Sequence, residues 1–349
     1  MVSKPPDPAR SAERREIWID YLKAIGIILV VYGHVARGVY NAAIPLDQQR
    51  YQLIDSIIYS FHMPLFFFAS GLTVANSLAK YGTAGFIMEK LRTLAYPYFV
   101  WSLIQGLIGL LLSRLTNRQL ELASLLQIPW HPQDQFWFLY ALLLIMMVLA
   151  LLVNWLGLQR RYWLLALFTA GFIFHVYFPF TMVDGFVLSY GVYTVLGLCF
   201  ADFRGRLMRH AHTLAPLLVC VAIIAQYVFH ISLQLRTDPD HKFTLPLAVV
   251  CILALVALSM RMELLSRWNW MREIGRLSMP IFLMHILFGS GARIVMNKVL
   301  HLQDPLVHLI VGTAAGVLLP MVAYRVLINC KAGYLFALPD SPQHQLRRN

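Results

Sequence analysis

Residues 18–34 read WIDYLKAIGIILVVYGH. The stretch is apolar enough to open a membrane helix, and yet it carries an acid, Asp20, a base, Lys23, and a histidine, His34. Ionisable groups are costly inside a bilayer and belong where they face a bundle interior or a polar path. On a helix the eleven steps from Lys23 to His34, at about 100° each, return to nearly one azimuth, and Asp20 falls on the same face. At about 1.5 Å per residue, Lys23 lies roughly 16 Å along the axis from His34. Gly26 and Gly33 leave room for a neighbouring helix or a ligand. The plainer alternative makes Asp20 and Lys23 snorkelling interface residues and His34 a helix-pairing histidine. Three polar groups on one stripe favour a polar pathway facing the bundle interior.

The rest of the chain agrees with a membrane setting. Of 349 residues, 59% are hydrophobic and only 13% charged, and the mean hydropathy is +0.63. A soluble chain keeps about 25% charged residues. The fold class expected is therefore all-α: a polytopic helical bundle embedded in lipid. Apolar windows place ten spans, at 17–37, 52–76, 91–113, 136–156, 163–180, 185–201, 211–231, 243–261, 277–297 and 305–328. Around them lie a short polar tail, 1–16, and a C-terminal tail, 331–349, leaving a single membrane domain over 17–330. The ionisable groups in the first span argue that it is retained rather than cleaved as a signal peptide. No internal repeat of the transporter kind is visible.

The net charge of +12 points to loop asymmetry rather than to nucleic acid. With the N-terminus inside, nineteen of the 29 basic residues fall in inner segments and seven in outer ones. Lys23, Arg293 and Arg325 fall within spans. Such a bias predicts an even number of spans and two cytoplasmic termini. Cys199, Cys220, Cys251 and Cys330 sit in or beside apolar segments without CxxC spacing, and read as packing residues.

Further polar groups lie at membrane depth. In IDSIIYSFHMPLFFFASGL the residues Asp55, Tyr59 and His62 share a helix face, and Pro64 predicts a kink that frees a backbone carbonyl near His62. His285, in LSMPIFLMHILFG, is a third intramembrane histidine. Lys90 and Arg92 open the third span in EKLRTLAYPYFVWS, either as positive-inside anchors or as a binding point for the phosphates of a cytoplasmic donor. Several chemistries are missing. There is no Walker A sequence and no HExxH, no GxSxG elbow, and no histidine–aspartate pair at HxxxxD spacing. The only DxD-like triplet, Asp238-Pro239-Asp240, reads as a turn, so no metal is expected.

Taken in order, IWIDYLKAIGIILVVYGHVARG, FHMPLFFFASGL, KLRTLAYPYFVW, FWFLYALLL and SMPIFLMHILF resemble the acyltransferase 3 family of bacterial membrane O-acyltransferases. The likeness is greatest to its fucose 4-O-acetylase-like branch, and it covers residues 16 to about 290. The resemblance implies a ten-span enzyme of the bacterial plasma (inner) membrane. Such an enzyme takes an acyl group, usually acetyl from acetyl-CoA on the cytoplasmic side, to a hydroxyl of a cell-surface or exported carbohydrate. It works beside other proteins of polysaccharide biosynthesis. The family's essential basic residue and histidine map onto Lys23 and His34. Of the RxxR that many members carry, Glu89 stands at the first arginine's place and Arg92 at the second, with Lys90 near. No appended esterase-like domain, which some members of the family carry, is expected after the last span.

The mechanism this implies makes His34 a general base on the acceptor hydroxyl. Asp20 and Lys23 line the donor channel and pair at i, i+3. Lys90 and Arg92 hold the phosphates of coenzyme A, and His62 and His285 orient His34 or stabilise the oxyanion. A transporter or flippase for a glycan or small organic molecule would use the same polar stripe as a permeation path. A membrane acyltransferase of another class, with an intramembrane His-Asn pair acting on lipids or peptides, is the other alternative.

Overall fold

The computed structural model describes residues 16–111, 122–178, 182–236, 243–265 and 267–338, and all regular structure among them is helical. In chain order the helices begin with α1 (Ile17–Asn41), α2 (Gln48–Tyr59), α3 (His62–Gly71), α4 (Val74–Lys90), α5 (Tyr96–Leu111), α6 (Leu122–Leu126) and α7 (Trp137–Leu156). There follow α8 (Arg161–Tyr177), α9 (Met182–Phe200), α10 (Arg204–Tyr227), α11 (Thr244–Leu265), α12 (Asn269–Arg276), α13 (Ser278–Ile294) and α14 (Pro305–Asn329).

The opening stretch becomes the axis of the bundle. Its 25 residues rise about 37 Å, enough to cross a hydrocarbon core of about 30 Å. Buried side chains run round α1 rather than along one stripe, from Trp18, Tyr21, Leu22 and Ile27 to Val30, Val31 and Val35. That is the pattern of a helix enclosed by others. α2, α3, α11, α12, α13 and α14 all pack against it. At Gly275 of α12 the approach is backbone to backbone: a Cβ there would collide with the Asp20 carbonyl.

Eight helical segments among the described residues are long and apolar enough to cross a membrane: Ile17–Asn41, Gln48–Gly71, Val74–Leu111, Asp134–Leu156, Arg204–Ser232, Thr244–Leu265, Ser278–Val299 and Pro305–Asn329. The fifth and sixth expected spans correspond to α8 and α9, which are shorter, at 17 and 19 residues. α9 packs on both α8 and α3.

Two spans differ in detail from the sequence reading. The second is broken into α2 and α3, because Pro64 offers no N–H to the carbonyl one turn back and its ring crowds that carbonyl. The break falls at Phe61 (φ −142°, ψ −22°), and the imidazole of His62 takes up the Ile58 carbonyl at 2.8 Å through Nδ1. The third does not start at an inner loop. Helix runs from Val74 to Leu111, interrupted at Gly82 (φ 63°, ψ 177°), a conformation open to glycine and little else. One π turn, Leu91–Ala95, precedes Pro97. Lys90 and Arg92 flank the start of that π turn instead of lying in a loop.

The two ends of α1 differ in chemistry. Around its N-terminal end the acids are matched by basic groups or amides. Glu16 pairs with Arg204 at 2.6 Å, Asp20 faces Arg272 at 3.7 Å, and Glu273 pairs with Arg325 at 3.1 Å. Glu263 accepts from the Trp18 amide at 2.9 Å. The C-terminal end instead borders a cavity.

Candidate functional site

α1 brings His34 to the interior two-thirds of the way along its length, and α13 brings His285 against it. The two imidazole rings are 5.1 Å apart, centre to centre, and tilted by 55°. His285 is buried, whereas His34 is half-buried. On His285 the Nδ1–H donates to the Phe282 carbonyl at 2.7 Å. A carbonyl only accepts, so this bond fixes the neutral ring with its lone pair on Nε2. That Nε2 is buried and has no hydrogen-bond partner among the described residues. His62 is held in the same manner by Ile58, and Tyr59 meets its ring edge-on at 4.3 Å. His62, His285 and Arg37 all lie within electrostatic reach of His34.

Tyr59 ties this group to α1. Its ring lies over Gly33, where a Cβ would come within 3.2 Å of it. The Arg37 guanidinium covers the ring at 3.5 Å from its centroid, a cation–π contact. Arg37 is then fixed by Asp55, which accepts from Nε at 2.9 Å and from Nη2 at 3.0 Å. This fork-to-fork pair aims the guanidinium as well as neutralising it. The Tyr59 hydroxyl is buried and has no hydrogen-bond partner among the described residues.

Beyond Arg37 and Tyr59 opens a cavity of about 680 Å³. Its walls carry tyrosine rings, among them Tyr51, Tyr190 and Tyr193, and short polar groups such as Ser56, Ser189 and Thr244. Arg37 is three residues from His34 on α1, so the cavity floor lies about one helical turn from the imidazole pair. Ser56 also bonds His230 at 3.0 Å, and Gln226 donates to Ser60 at 2.8 Å, which fastens α10 to α2 along one wall.

The structure gathers some of the residues expected from sequence and spreads others. His34, His285 and His62 form one group. Asp20 is buried near the N-terminal end of α1 beside Arg272, and Lys23 is half-buried one turn further on. Lys90 is paired with its neighbour Glu89 at 2.8 Å and lies over the Phe86 ring at 5.0 Å. Arg92 is half-buried in the π turn and has no carboxylate partner among the described residues. Asp238, Asp240 and His241 lie outside the described residues, and among those described no cluster of His, Cys, Asp or Glu could hold a metal.

Sequence reasoning missed Arg37, which counted as an outer loop charge, and the wall residues Tyr190 and Tyr193. The available signal was the spacing of Arg37 from His34, one turn along the same helix. The tyrosines come from α9, which no local pattern connects to α1.

Comparison with known proteins bears on what these groups do. Neither the curated proteins nor the solved structures gave a match. The family model for an acyltransferase domain matches residues 16–325, from the first turn of α1 to the last turns of α14. With nearly the whole helical bundle, including His34, His62 and His285, inside that match, the chain belongs to the acyltransferase 3 family.

Proposed function

We propose that the protein is a membrane O-acyltransferase that moves acetyl from acetyl-CoA to a hydroxyl of a cell-surface or exported polysaccharide, or of its lipid-linked precursor, in the bacterial plasma membrane. The observation that carries the reading is the His34–His285 pair, at 5.1 Å, one turn from a tyrosine-walled cavity within an acyltransferase domain. His34 accepts the proton of the acceptor hydroxyl through a ring nitrogen as the oxygen attacks the thioester carbon. The carbon–sulfur bond breaks, and the departing thiolate takes that proton back, so the histidine returns to its neutral form. His285, locked with Nε2 free of its Nδ1–H bond, keeps the His34 ring oriented.

The N-terminal end of α1, surrounded by arginines, supports a donor entering from the cytoplasm, with both chain termini on that side. Arg92, half-buried and without a carboxylate among the described residues, suits a coenzyme A phosphate better than Lys90, whose charge Glu89 already offsets. Lys23 and Asp20 line the approach between that end and His34.

The deciding experiment is mass spectrometry of surface and secreted polysaccharide from cells lacking the protein, complemented with wild type or with His34→Ala at matched membrane levels. An acetyl mass shift restored by wild type alone supports both the reaction and the role of His34. Full restoration by His34→Ala removes His34 from the chemistry. No acetyl change in any glycan overturns the acceptor class and moves the transporter reading forward.

A further inference from the structure

A serine and a histidine meet at the cavity wall and have no part in the chemistry above. Ser56 of α2 lines the cavity, and its hydroxyl lies 3.0 Å from Nε2 of His230. His230 is fully buried, in the π turn Val228–Ser232 that continues α10. Its Nδ1 is 3.2 Å from the Gln226 carbonyl, one turn back. A carbonyl only accepts, so the neutral ring carries its proton on Nδ1 and leaves the Nε2 lone pair to the Ser56 O–H. Arg236 donates to the His230 carbonyl at 3.0 Å and so pins the backbone that carries the ring.

Nucleophile, base and orienting group thus follow one another in hydrogen-bond sequence, the arrangement that activates a serine for attack on a carbonyl carbon. Fastening α10 to α2 is served separately by the Gln226–Ser60 bond at 2.8 Å. The cavity, at about 680 Å³, falls within the range of small-molecule sites, about 300–1,000 Å³. Phe172, Tyr190 and Tyr193 give it apolar surface for the organic part of a ligand. Arg37, held by the carboxylate next to Ser56 in the chain, brings a guanidinium to the same cavity. Negative charge developing on a carbonyl oxygen there meets a fixed positive group.

We infer that Ser56 and His230 form a second catalytic site, an esterase dyad, whose substrate is a small ester of a short carboxylic acid held in this cavity. The activity goes beyond acyl transfer from coenzyme A and uses neither that donor nor His34, so the two stand or fall separately. Ser56 Oγ attacks the ester carbonyl carbon as its proton passes to His230 Nε2. The bond from that carbon to the alcohol oxygen breaks, and the departing oxygen takes the proton from Nε2, which leaves an acyl-serine. Water then gives a proton to Nε2 and attacks the acyl carbon. The bond to Oγ breaks, Oγ recovers the proton, and the free acid departs. Gln226 orients the ring with a carbonyl, where a carboxylate would also stabilise the imidazolium. Turnover is therefore slow, and with an activated leaving group the acyl-serine accumulates.

The test is purified full-length protein mixed with p-nitrophenyl acetate, with no coenzyme A or glycan present. Expected is a burst of about one p-nitrophenolate per chain followed by slow turnover, with an added acetyl that peptide mass spectrometry maps to Ser56. Ser56→Ala should lose both burst and label. Ser56→Cys, which keeps a nucleophile within reach of His230, should retain both, the label now a thioester that hydroxylamine cleaves at neutral pH. His230→Gln can still bond Ser56 but cannot take its proton, and should slow the burst about 10²- to 10⁴-fold. Ser60→Ala removes the neighbouring fastening bond and should keep the burst of wild type. No burst from wild type, or an acetyl mapped to another residue, overturns the site. A burst lost in Ser60→Ala and Ser56→Cys as fully as in Ser56→Ala makes the pair a helix fastener and overturns it as well. An undiminished burst in His230→Gln overturns the histidine as base, and the dyad with it.

Discussion

His34 and His285 come from opposite ends of the chain and meet ring to ring at 5.1 Å, with the Nδ1 of His285 anchored to the Phe282 carbonyl at 2.7 Å. The anchored ring has one nitrogen to offer, and its partner is half-buried. This asymmetry assigns different effects to the two histidines. His34→Ala should lower acetyl transfer by about 10²- to 10⁴-fold, the range of a positioned general base. His285→Gln, whose amide reaches roughly where Nε2 lies, should retain more activity than His285→Ala. Steady-state rates of the three variants at equal membrane yield check the order, and His34→Ala as the mildest of them would reverse the assignment.

The contact between Gly33 and Tyr59 yields a graded series. A Cβ at Gly33 would stand 3.2 Å from the ring, so Gly33→Ala asks Tyr59 to yield by a few tenths of an ångström. Gly33→Val asks for more than the ring, clamped between Arg37 and His62, has room to give. Overpacking of this kind costs typically 1–3 kcal/mol. Thermal stability in detergent should fall slightly for alanine and clearly for valine, and acetyl transfer should fall further than stability does in both. Equal activity of valine and wild type would show that Tyr59 is free to move without consequence.

Much of this was legible in the opening stretch. Asp20, Lys23 and His34 announced a span facing the interior, and α1 is the helix against which six others pack. Pro64 announced a disturbed second span, and the chain breaks at Phe61. What local pattern lacks is any record of partners distant in sequence. The meeting of His34 with His285 spans most of the chain, and the cavity wall draws on α2, α8, α9 and α11. Glycine at 82 was equally silent: only its backbone angles reveal that the expected inner loop is helix on both sides of a break. Helix length is a separate matter, since α8 and α9 occupy the expected places of two spans and are shorter than the other eight.

The Arg37–Asp55 pair should matter more to activity than to stability. The arginine side chain is 40% exposed and the aspartate 20%, so screening holds the pair to about 1 kcal/mol or less. Asp55→Asn keeps the shape and loses the fork. It should shift the melting temperature little while lowering transfer, because the guanidinium no longer sits fixed over Tyr59. Arg37→Lys should do the same, since an ammonium has no planar fork to match the carboxylate. A large loss of stability in either variant, with transfer per folded molecule unchanged, would make the pair a structural clamp alone.

Gly275 is a different kind of position, far from the cavity and tight against α1. The Asp20 carbonyl occupies the space a side chain would need, so even Gly275→Ala must separate the two backbones. Because backbone has no rotamer to change, the cost should exceed that of Gly33→Ala and appear as low yield of folded protein. Melting curves of the two alanine variants side by side test the ranking. Equal stability would mean that α12 slides along α1 at little cost.

Asp202, in the turn after α9, supplies a pH test outside the spans. The Tyr162 hydroxyl donates to it at 2.5 Å and the Arg161 guanidinium at 2.6 Å. The tyrosine hydrogen bond first, and the arginine with it, hold its carboxyl below the ordinary carboxylate range, against a smaller opposing effect of burial. A carboxylate depressed in the folded state contributes stability that is complete above its unfolded value, near 3.9, and lost as pH falls through the folded value. The melting temperature of wild type should therefore exceed that of Asp202→Asn by a constant margin between pH 7 and about 5. That margin should narrow below about pH 4 as the aspartate takes up a proton. A margin that persists undiminished at pH 3 would mean that the contact survives protonation. Asp202 would then join α8 to α9 as a neutral hydrogen-bond acceptor, and its pairing with Arg161 would carry no pH-dependent stability.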